Sequence, residues 1–325
     1  MKEIKHTRKD KKIKNIFVIL GPTSTGKTSL ALDLCKRFDG EVISADSRQA
    51  VKFMDVGTGK SSVDSNLLIE KKDKRWKLNG INVWGYDLTT PDQYFSGYDF
   101  AEFALEKTRE LEKPGKNIFV VGGTGFYIDL FTGKVRPSHV EPDLELRNSL
   151  EVLSLEDLQK KLSSLNLKSY ESIDKKNKVR LIRAVEKELL KDLGDSNLNY
   201  LSEDSLIKYN FTYFGLNVSR DVLYKRSDAW VDAIWSGGII EEVKMLIEMG
   251  YSESSKLKGL VYRTVLDFIN GKSNDKESIQ RIKYDIHAYI RRQLTWFKKN
   301  KDTKWVDISE DDYKEIIYND IERKL

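Results

Sequence analysis

Ile16-Phe17-Val18-Ile19-Leu20 is an unbroken apolar, β-rich run that stops at a glycine. That pattern predicts a parallel strand buried on both faces. Past the loop Gly21–Gly26, the segment Lys27–Phe38 sets Leu30, Ala31, Leu34 and Cys35 at helical spacing. Glu41–Ser44 predicts a second strand running into Asp46, and Ile81–Leu88 a third with weaker alternation. Asp99–Leu111 reads as a helix, and Asn117–Val121 as another buried strand ending in Gly122-Gly123. Alternating strands and helices imply a parallel sheet with right-handed crossovers, hence helices on both faces. After about Lys134 the chain turns helical and strongly charged, without strand-like runs, until about Ser205. Asn210–Asn217 predicts a returning strand, followed by amphipathic helices over Arg220–Trp235, Ile239–Met249 and Ser278–Lys299. In the last of these Ile282, Ile286, Ile290 and Leu294 mark a core-facing stripe beside a basic rim.

The expected fold class is therefore α/β, a parallel sheet with a helical insertion domain. Residues 1–14 are expected to form a basic, disordered N-terminus. Residues 15–134 and 206–325 would form the α/β core with C-terminal helices, and 135–205 the insertion.

Composition narrows the setting. The chain has 325 residues, 39% hydrophobic and 33% charged, which is ordinary for a water-soluble protein. No apolar run approaches the roughly 18 residues of a membrane span, and neither the h-region nor the small-residue cleavage site of a secretory leader follows the basic Lys2–Lys14. A single cysteine, Cys35, excludes a disulfide framework and a cysteine zinc site. A cytoplasmic protein without membrane contact is expected. His6, His139 and His287 lack metal-ligand spacing and are given no role. Net charge is +5, with basic residues crowded into Lys2–Lys14, Lys175–Arg183 and Arg281–Lys299, a weak pointer to a polyanionic partner.

Gly21-Pro22-Thr23-Ser24-Thr25-Gly26-Lys27-Thr28 matches G-x-x-x-x-G-K-[ST] between a predicted strand and a predicted helix, the setting of a P-loop. Glycines let backbone N–H groups turn inward on phosphate oxygens, and the helix start adds its positive end. Lys27 supplies a cation, and the Thr28 hydroxyl is placed to ligate Mg²⁺. A diphosphate or triphosphate ligand follows, but not the bond that is broken. Asp46, just past the second strand, would lie at the same crevice outside the strand ends. It could take a proton from a nucleophile, or it could be a turn-forming aspartate. Gly122-Gly123-Thr124-Gly125 is either a tight strand-to-helix turn or a substrate-contacting loop.

Six blocks in order resemble the tRNA dimethylallyltransferase (tRNA isopentenyltransferase) family. They are GPTSTGKT at 21–28, ISADSRQ at 43–49, MDVGTGK at 54–60, VVGGTGFYI at 120–128, VRLIRAVE at 179–186 and RRQLTWFK at 291–298. The resemblance implies transfer of a prenyl group from dimethylallyl diphosphate to N6 of the adenosine 3′ to the anticodon (position 37) of tRNA. Asp46 matches the family's general base, Thr23 a threonine beside the bridging oxygen, and Arg226 an arginine that meets the diphosphate. On its own Arg226 reads as a solvated helix residue. Implied contacts to the tRNA anticodon stem-loop are Asp46, Ser47, Arg48, Gln49, Thr124, Arg147, and Val179, Arg180, Leu181, Ile182 and Arg183. A second run is Arg291, Arg292, Gln293, Leu294, Thr295, Trp296, Phe297 and Lys298, although Trp296 and Phe297 read on their own as core. Mg²⁺ is the implied cofactor and a monomer the implied state, with 135–205 acting as the tRNA-binding arm.

The chain departs from the family pattern in places. Thr25 replaces a serine, Gly59-Lys60-Ser61 an alanine-lysine-proline, and Trp84-Gly85-Tyr86-Asp87 lacks a histidine. Val261-Tyr262 stands where the family has glycine-tyrosine, so that turn is expected to be rebuilt. Two other activities share the cradle and Asp46: prenylation of free adenine nucleotides, and phosphoryl transfer by a P-loop kinase. A non-catalytic RNA-binding protein would not need Lys27, Thr28 and Asp46 together.

Overall fold

The computed structural model describes residues 14–60, 67–72, 74–136, 142–191 and 209–325. The N-terminal tail lies outside these, apart from Lys14. The chain divides into two compact units, 1–135 with 203–325, and 136–202.

The larger unit is built on an eight-stranded sheet. Its strands are β1 (Lys14–Leu20), β2 (Gly40–Ser44), β3 (Ile69–Lys72), β4 (Arg75–Leu78), β5 (Ile81–Trp84), β6 (Asn117–Gly122), β7 (Tyr209–Asn217) and β8 (Thr303–Asp307). Their order is β3-β4-β5-β2-β6-β1-β7-β8. From β5 to β8 every pairing is parallel. The expected wholly parallel sheet needs correction, because β4 runs antiparallel to β5 and β3 antiparallel to β4. A two-residue connection between β4 and β5 permits only a hairpin, whereas the parallel pairs need long crossovers. The third strand also ends sooner than expected, at Trp84. Gly85 and Asp87 take φ of 95° and 56°, which breaks the extended run.

Ile16 through Leu20 are all buried, although successive side chains point to opposite faces. Both faces of the sheet centre are thus covered. One cluster gathers Phe17, Ile19, Phe119 and Phe214 with Val231, Val243, Ile282 and Ile290 from C-terminal helices. The helices of this unit are α1 (Lys27–Arg37), α2 (Gly97–Glu112) and α3 (Gly125–Phe131), then α8 (Arg220–Ser236), α9 (Ile239–Glu248), α10 (Leu260–Ile269), α11 (Asp275–Phe297) and α12 (Tyr313–Glu322). Between them in the chain lie α4 (Leu144–Glu151), α5 (Leu155–Leu165), α6 (Leu167–Ser172) and α7 (Lys178–Leu190), which belong to the smaller unit. The long α11 starts on a capping box, with Asn274 accepting from the Glu277 amide and the Glu277 side chain returning the bond to the Asn274 amide.

Leu150, Leu158, Leu162, Leu181, Ile182 and Val185 form the core of the smaller unit. Leu181 and Ile182 are therefore committed to packing, and their side chains are removed from the surface contacts implied for them.

Candidate active site

The loop Gly21–Gly26 leaves β1 and enters α1 through Gly26, whose φ of 77° lies in the left-handed region that glycine adopts without steric cost. The first turn of α1 carries no acidic residue, so the positive end of the helix is uncompensated. The Thr25 hydroxyl donates to the Pro22 carbonyl at 2.9 Å, and Lys27 Nζ donates to the same oxygen at 2.7 Å. Burial pushes the Lys27 amine down to about 8, against the opposing pull of Asp46.

Asp46 lies where the chain leaves β2. Burial pushes its carboxyl above the usual aspartate range, while the Arg48 amide, which donates to Oδ1 at 2.9 Å, and the Lys27 charge oppose that shift. A carboxylate in such surroundings is a stronger base than one in water, the property that proton abstraction requires. Neighbouring bonds hold the turn. The Ser47 amide donates to Thr124 Oγ1 at 3.0 Å, and Ser44 Oγ to Gln49 Oε1 at 2.8 Å. Tyr289 of α11 also bonds the Thr124 side chain.

These strand ends approach closely. A Cβ at Gly122 would fall 2.0 Å from the Ala45 carbonyl oxygen, inside any tolerable contact. Gly122→Ala should therefore push β2 and β6 apart and cost about 3 kcal/mol of stability, the scale of core overpacking. A urea midpoint indistinguishable from that of the parent would refute this.

Thr23, Ser24, Gly26, Lys27 and Thr28 share one cavity of about 260 Å³ with Asp46, Arg48, Gln49 and Gln293. Val42, Val83, Val121, Trp230 and Ile286 form an apolar part of its wall. The cavity thus offers a cation, the glycine-rich loop, a basic carboxylate and an apolar lining to one ligand. No sequence motif singles out Trp230, Ile286 or Tyr289. Helical spacing from Gln293 back to Tyr289 and Ile286 is the one signal that points to the last two.

A second wall is pinned from behind. Buried Glu242 accepts from the amides of Asp55 and Val56 at 2.7 Å, from Gly57 at 3.2 Å, and from the Tyr262 hydroxyl at 2.7 Å. Lys60 is fully buried, its amine 2.7 Å from Asp55 Oδ1 and 2.5 Å from Asp87 Oδ1. These bonds fix the MDVGTGK segment, whose Gly57, Thr58 and Gly59 line the cavity. At the turn holding Val261, Leu260 opens α10 with a positive φ of 43°, and Val261 follows it as a buried, cavity-lining residue.

Other sequence candidates lie elsewhere. Arg226 is exposed on α8 and does not line the cavity, although Trp230 one turn along does. Arg291, Arg292, Thr295 and Lys298 are exposed along α11, whereas Leu294 and Phe297 are core residues. Trp296 packs on α3, its Nε1 donating to Asp129 at 2.7 Å. In the smaller unit, Val179 and Arg180 are exposed. Arg147 and Arg183 both pair with Glu186, a fully buried carboxylate that also accepts from the Asp143 amide at 2.7 Å.

Fold and cavity together define an α/β protein whose main cavity among the described residues opens at the carboxyl ends of its central strands, where ligands bind in such sheets. A family model described as IPP transferase matches residues 50–300, and one described as isopentenyl transferase matches 14–75. A tRNA dimethylallyltransferase of Acetivibrio thermocellus is 35% identical over 316 residues, covering 96% of this chain and 97% of that relative. One from Finegoldia magna is 34% identical, with 95% of each chain covered. The solved tRNA isopentenylpyrophosphate transferase of Bacillus halodurans aligns with a TM-score of 0.68 at 31% identity, covering 96% of this chain and 97% of its own. A eukaryotic dimethylallyltransferase acting on tRNA shares the fold, with a TM-score of 0.74 at 21% identity over 95% of this chain and 80% of its own. The chain belongs to the tRNA dimethylallyltransferase family.

Proposed function

We propose that this chain transfers the dimethylallyl group of dimethylallyl diphosphate to N6 of the adenosine 3′ to the anticodon in tRNA, releasing diphosphate. The observation that carries the proposal is the basic Asp46 carboxylate facing Lys27 and the Gly21–Thr28 loop within one cavity. The diphosphate would lie in the loop, with the prenyl carbons along the apolar wall. N6 attacks C1 of the allyl chain; the C–N bond forms as the C–O bond to diphosphate breaks. Asp46 accepts the N6 proton, since the amine lone pair is delocalised into the ring and the nitrogen is barely basic. Charge growing on the departing diphosphate is stabilised by Lys27 and the loop amides. Thr23, in the same cavity, is suited to the bridging oxygen. Arg226 is exposed one turn from the cavity-lining Trp230, so its place beside the diphosphate rests on the family resemblance alone.

Mg²⁺ fits the donors present. Thr28 lines the cavity at the start of α1, and no cluster of three acidic, histidine or cysteine ligands occurs among the described residues. That set suits a cation that keeps its waters and takes phosphate oxygens, and its chemistry would be charge neutralisation of the diphosphate. No described helix is long and apolar enough to cross a membrane. A cytoplasmic location fits a tRNA substrate, and a monomer is the simplest working state.

For the tRNA, the target base must leave its stack, which costs less in a single-stranded loop than in a duplex. Exposed Arg180 and the paired Arg147 and Arg183 are suited to phosphates on the smaller unit. Arg180→Ala should weaken tRNA binding and lower the salt slope by about one, the signature of one lost phosphate contact. Leu181→Ala should instead destabilise the smaller unit, by about 3 kcal/mol for a buried leucine. Equal effects of both variants on the salt slope would contradict this division.

The decisive experiment supplies the protein with Mg²⁺, labelled dimethylallyl diphosphate or labelled ATP, unmodified tRNA and free AMP. Prenyl label in tRNA supports the proposal. Label in AMP instead points to a free-nucleotide prenyltransferase, and transfer of the ATP γ-phosphate to a kinase.

A further inference from the structure

Gln293 belongs to the block that the family resemblance assigns to tRNA. Its side chain is engaged elsewhere. The residue is 5% exposed, sits on α11 between Ile290 and Leu294, and uses both ends of its carboxamide on main-chain atoms. Oε1 accepts from the Thr23 amide at 3.0 Å, and Nε2 donates to the Gly123 carbonyl at 2.9 Å.

Those partners lie just beyond the ends of two adjacent strands. The ladder between β1 and β6 ends at the pair Leu20 and Gly122, where the strands give way to separate loops and the crevice opens. One loop carries Thr23 and Lys27. The other carries Thr124, which receives the Ser47 amide beside Asp46. A carboxamide has one acceptor and one donor arranged like those of a peptide group. It can therefore continue strand-to-strand bonding where no backbone remains to do so. A Cβ on Gly123 would lie 2.5 Å from Gln293 Nε2 and 3.3 Å from Asp46 Oδ2, so the clamp and the carboxylate flank the same backbone point.

We infer that Gln293 is a positioning residue for prenyl transfer, setting the spacing between the loop that would hold the leaving diphosphate and the loop beside Asp46. The inference rests on the prenyl-transfer function proposed above. It predicts that losing the clamp slows the chemical step and leaves tRNA affinity unchanged.

Two variants of the full chain test it. Gln293→Leu removes both bonds at similar volume. At saturating tRNA and dimethylallyl diphosphate its kcat should fall about 10²-fold, the scale of an ångström-sized misplacement, while the tRNA Kd stays within about twofold. Gln293→Glu separates geometry from mere packing. Its carboxylate can accept from Thr23 but cannot donate to Gly123, whereas its protonated form can do both. The kcat of this variant relative to the parent should therefore rise as pH is lowered from about 8 to about 6. Asp46, Lys27, Arg48 and Tyr289 line the same cavity; an added carboxylate would raise the pKa values of Asp46 and Lys27, which lowers the ratio as pH falls, opposite to the expected change. A parent-like kcat with weakened tRNA binding would make Gln293 a tRNA contact and overturn the inference. A Gln293→Glu to parent ratio that does not change with pH would overturn it too. If the parent chain itself transfers no prenyl group, the proposed reaction fails first and this inference with it; an active parent with an equally active Gln293→Leu variant sinks the inference alone.

Discussion

Asp46→Ala is expected to lower kcat for prenyl transfer by about 10²-fold or more, the usual contribution of a positioned general base, with tRNA binding nearly intact. The expectation follows from the burial that makes this carboxylate unusually basic and from its place in the cavity with Lys27. Asp46→Asn should be as impaired, because the amide keeps the shape of the turn but cannot accept the proton. The pH profile has a definite sign. Asp46 works as the carboxylate, so kcat/KM should rise as pH increases through its raised pKa. If Asp46 instead positions the base without taking its proton, the alanine variant will lose tRNA affinity and rate together.

Lys27→Met is expected to raise KM for dimethylallyl diphosphate and to lower kcat/KM by about 10²- to 10³-fold, the scale of losing one group that stabilises developing negative charge. Burial brings its amine down to about 8 in the free protein. The cationic form is the one that holds diphosphate, so kcat/KM should fall as pH rises through that value. Lys27→Arg keeps its charge across this range and should flatten the alkaline limb, even if the larger head lowers the maximum. An alkaline limb that persists unchanged in Lys27→Arg would assign it to another group.

Much of this arrangement could be read from the chain. β1 and β6 carry unbroken apolar runs because both of their faces are covered, and the glycine-lysine-threonine signature falls where β1 gives way to α1. The sheet's edges were not legible. β3 reads Ile-Glu-Lys-Lys and β8 has only Val306 buried, so neither shows the pattern of a covered strand. Charge on such edges discourages pairing with other chains, and it also hides the strand from a hydrophobicity reading. Among site residues, Asp46 and Lys27 were accessible through motifs with a local logic. Tyr289 and Glu242 were not, and Gln293 was reached only through the resemblance and with another role, since their partners are remote in sequence; Thr23 lies 270 positions from Gln293. Leu181 and Ile182 show the opposite failure: a contiguous block suggested a surface, but helical periodicity turns every third or fourth side chain into the core, where Leu294 and Phe297 also lie, as their own sequence reading places them.

The link between Thr23 and Gln293 has a temporal side. The glycine-rich loop leaves the ribosome early, yet the helix that braces it is made 270 residues later, about 15 to 50 seconds at ordinary elongation rates. β1 likewise waits for β7, paired from Tyr209 onward, before its second edge is covered. For that interval the nascent chain exposes an apolar, half-paired central strand, a species prone to aggregation. A message truncated ahead of α11 would therefore yield a product with the Gly21–Thr28 signature intact and no brace behind it.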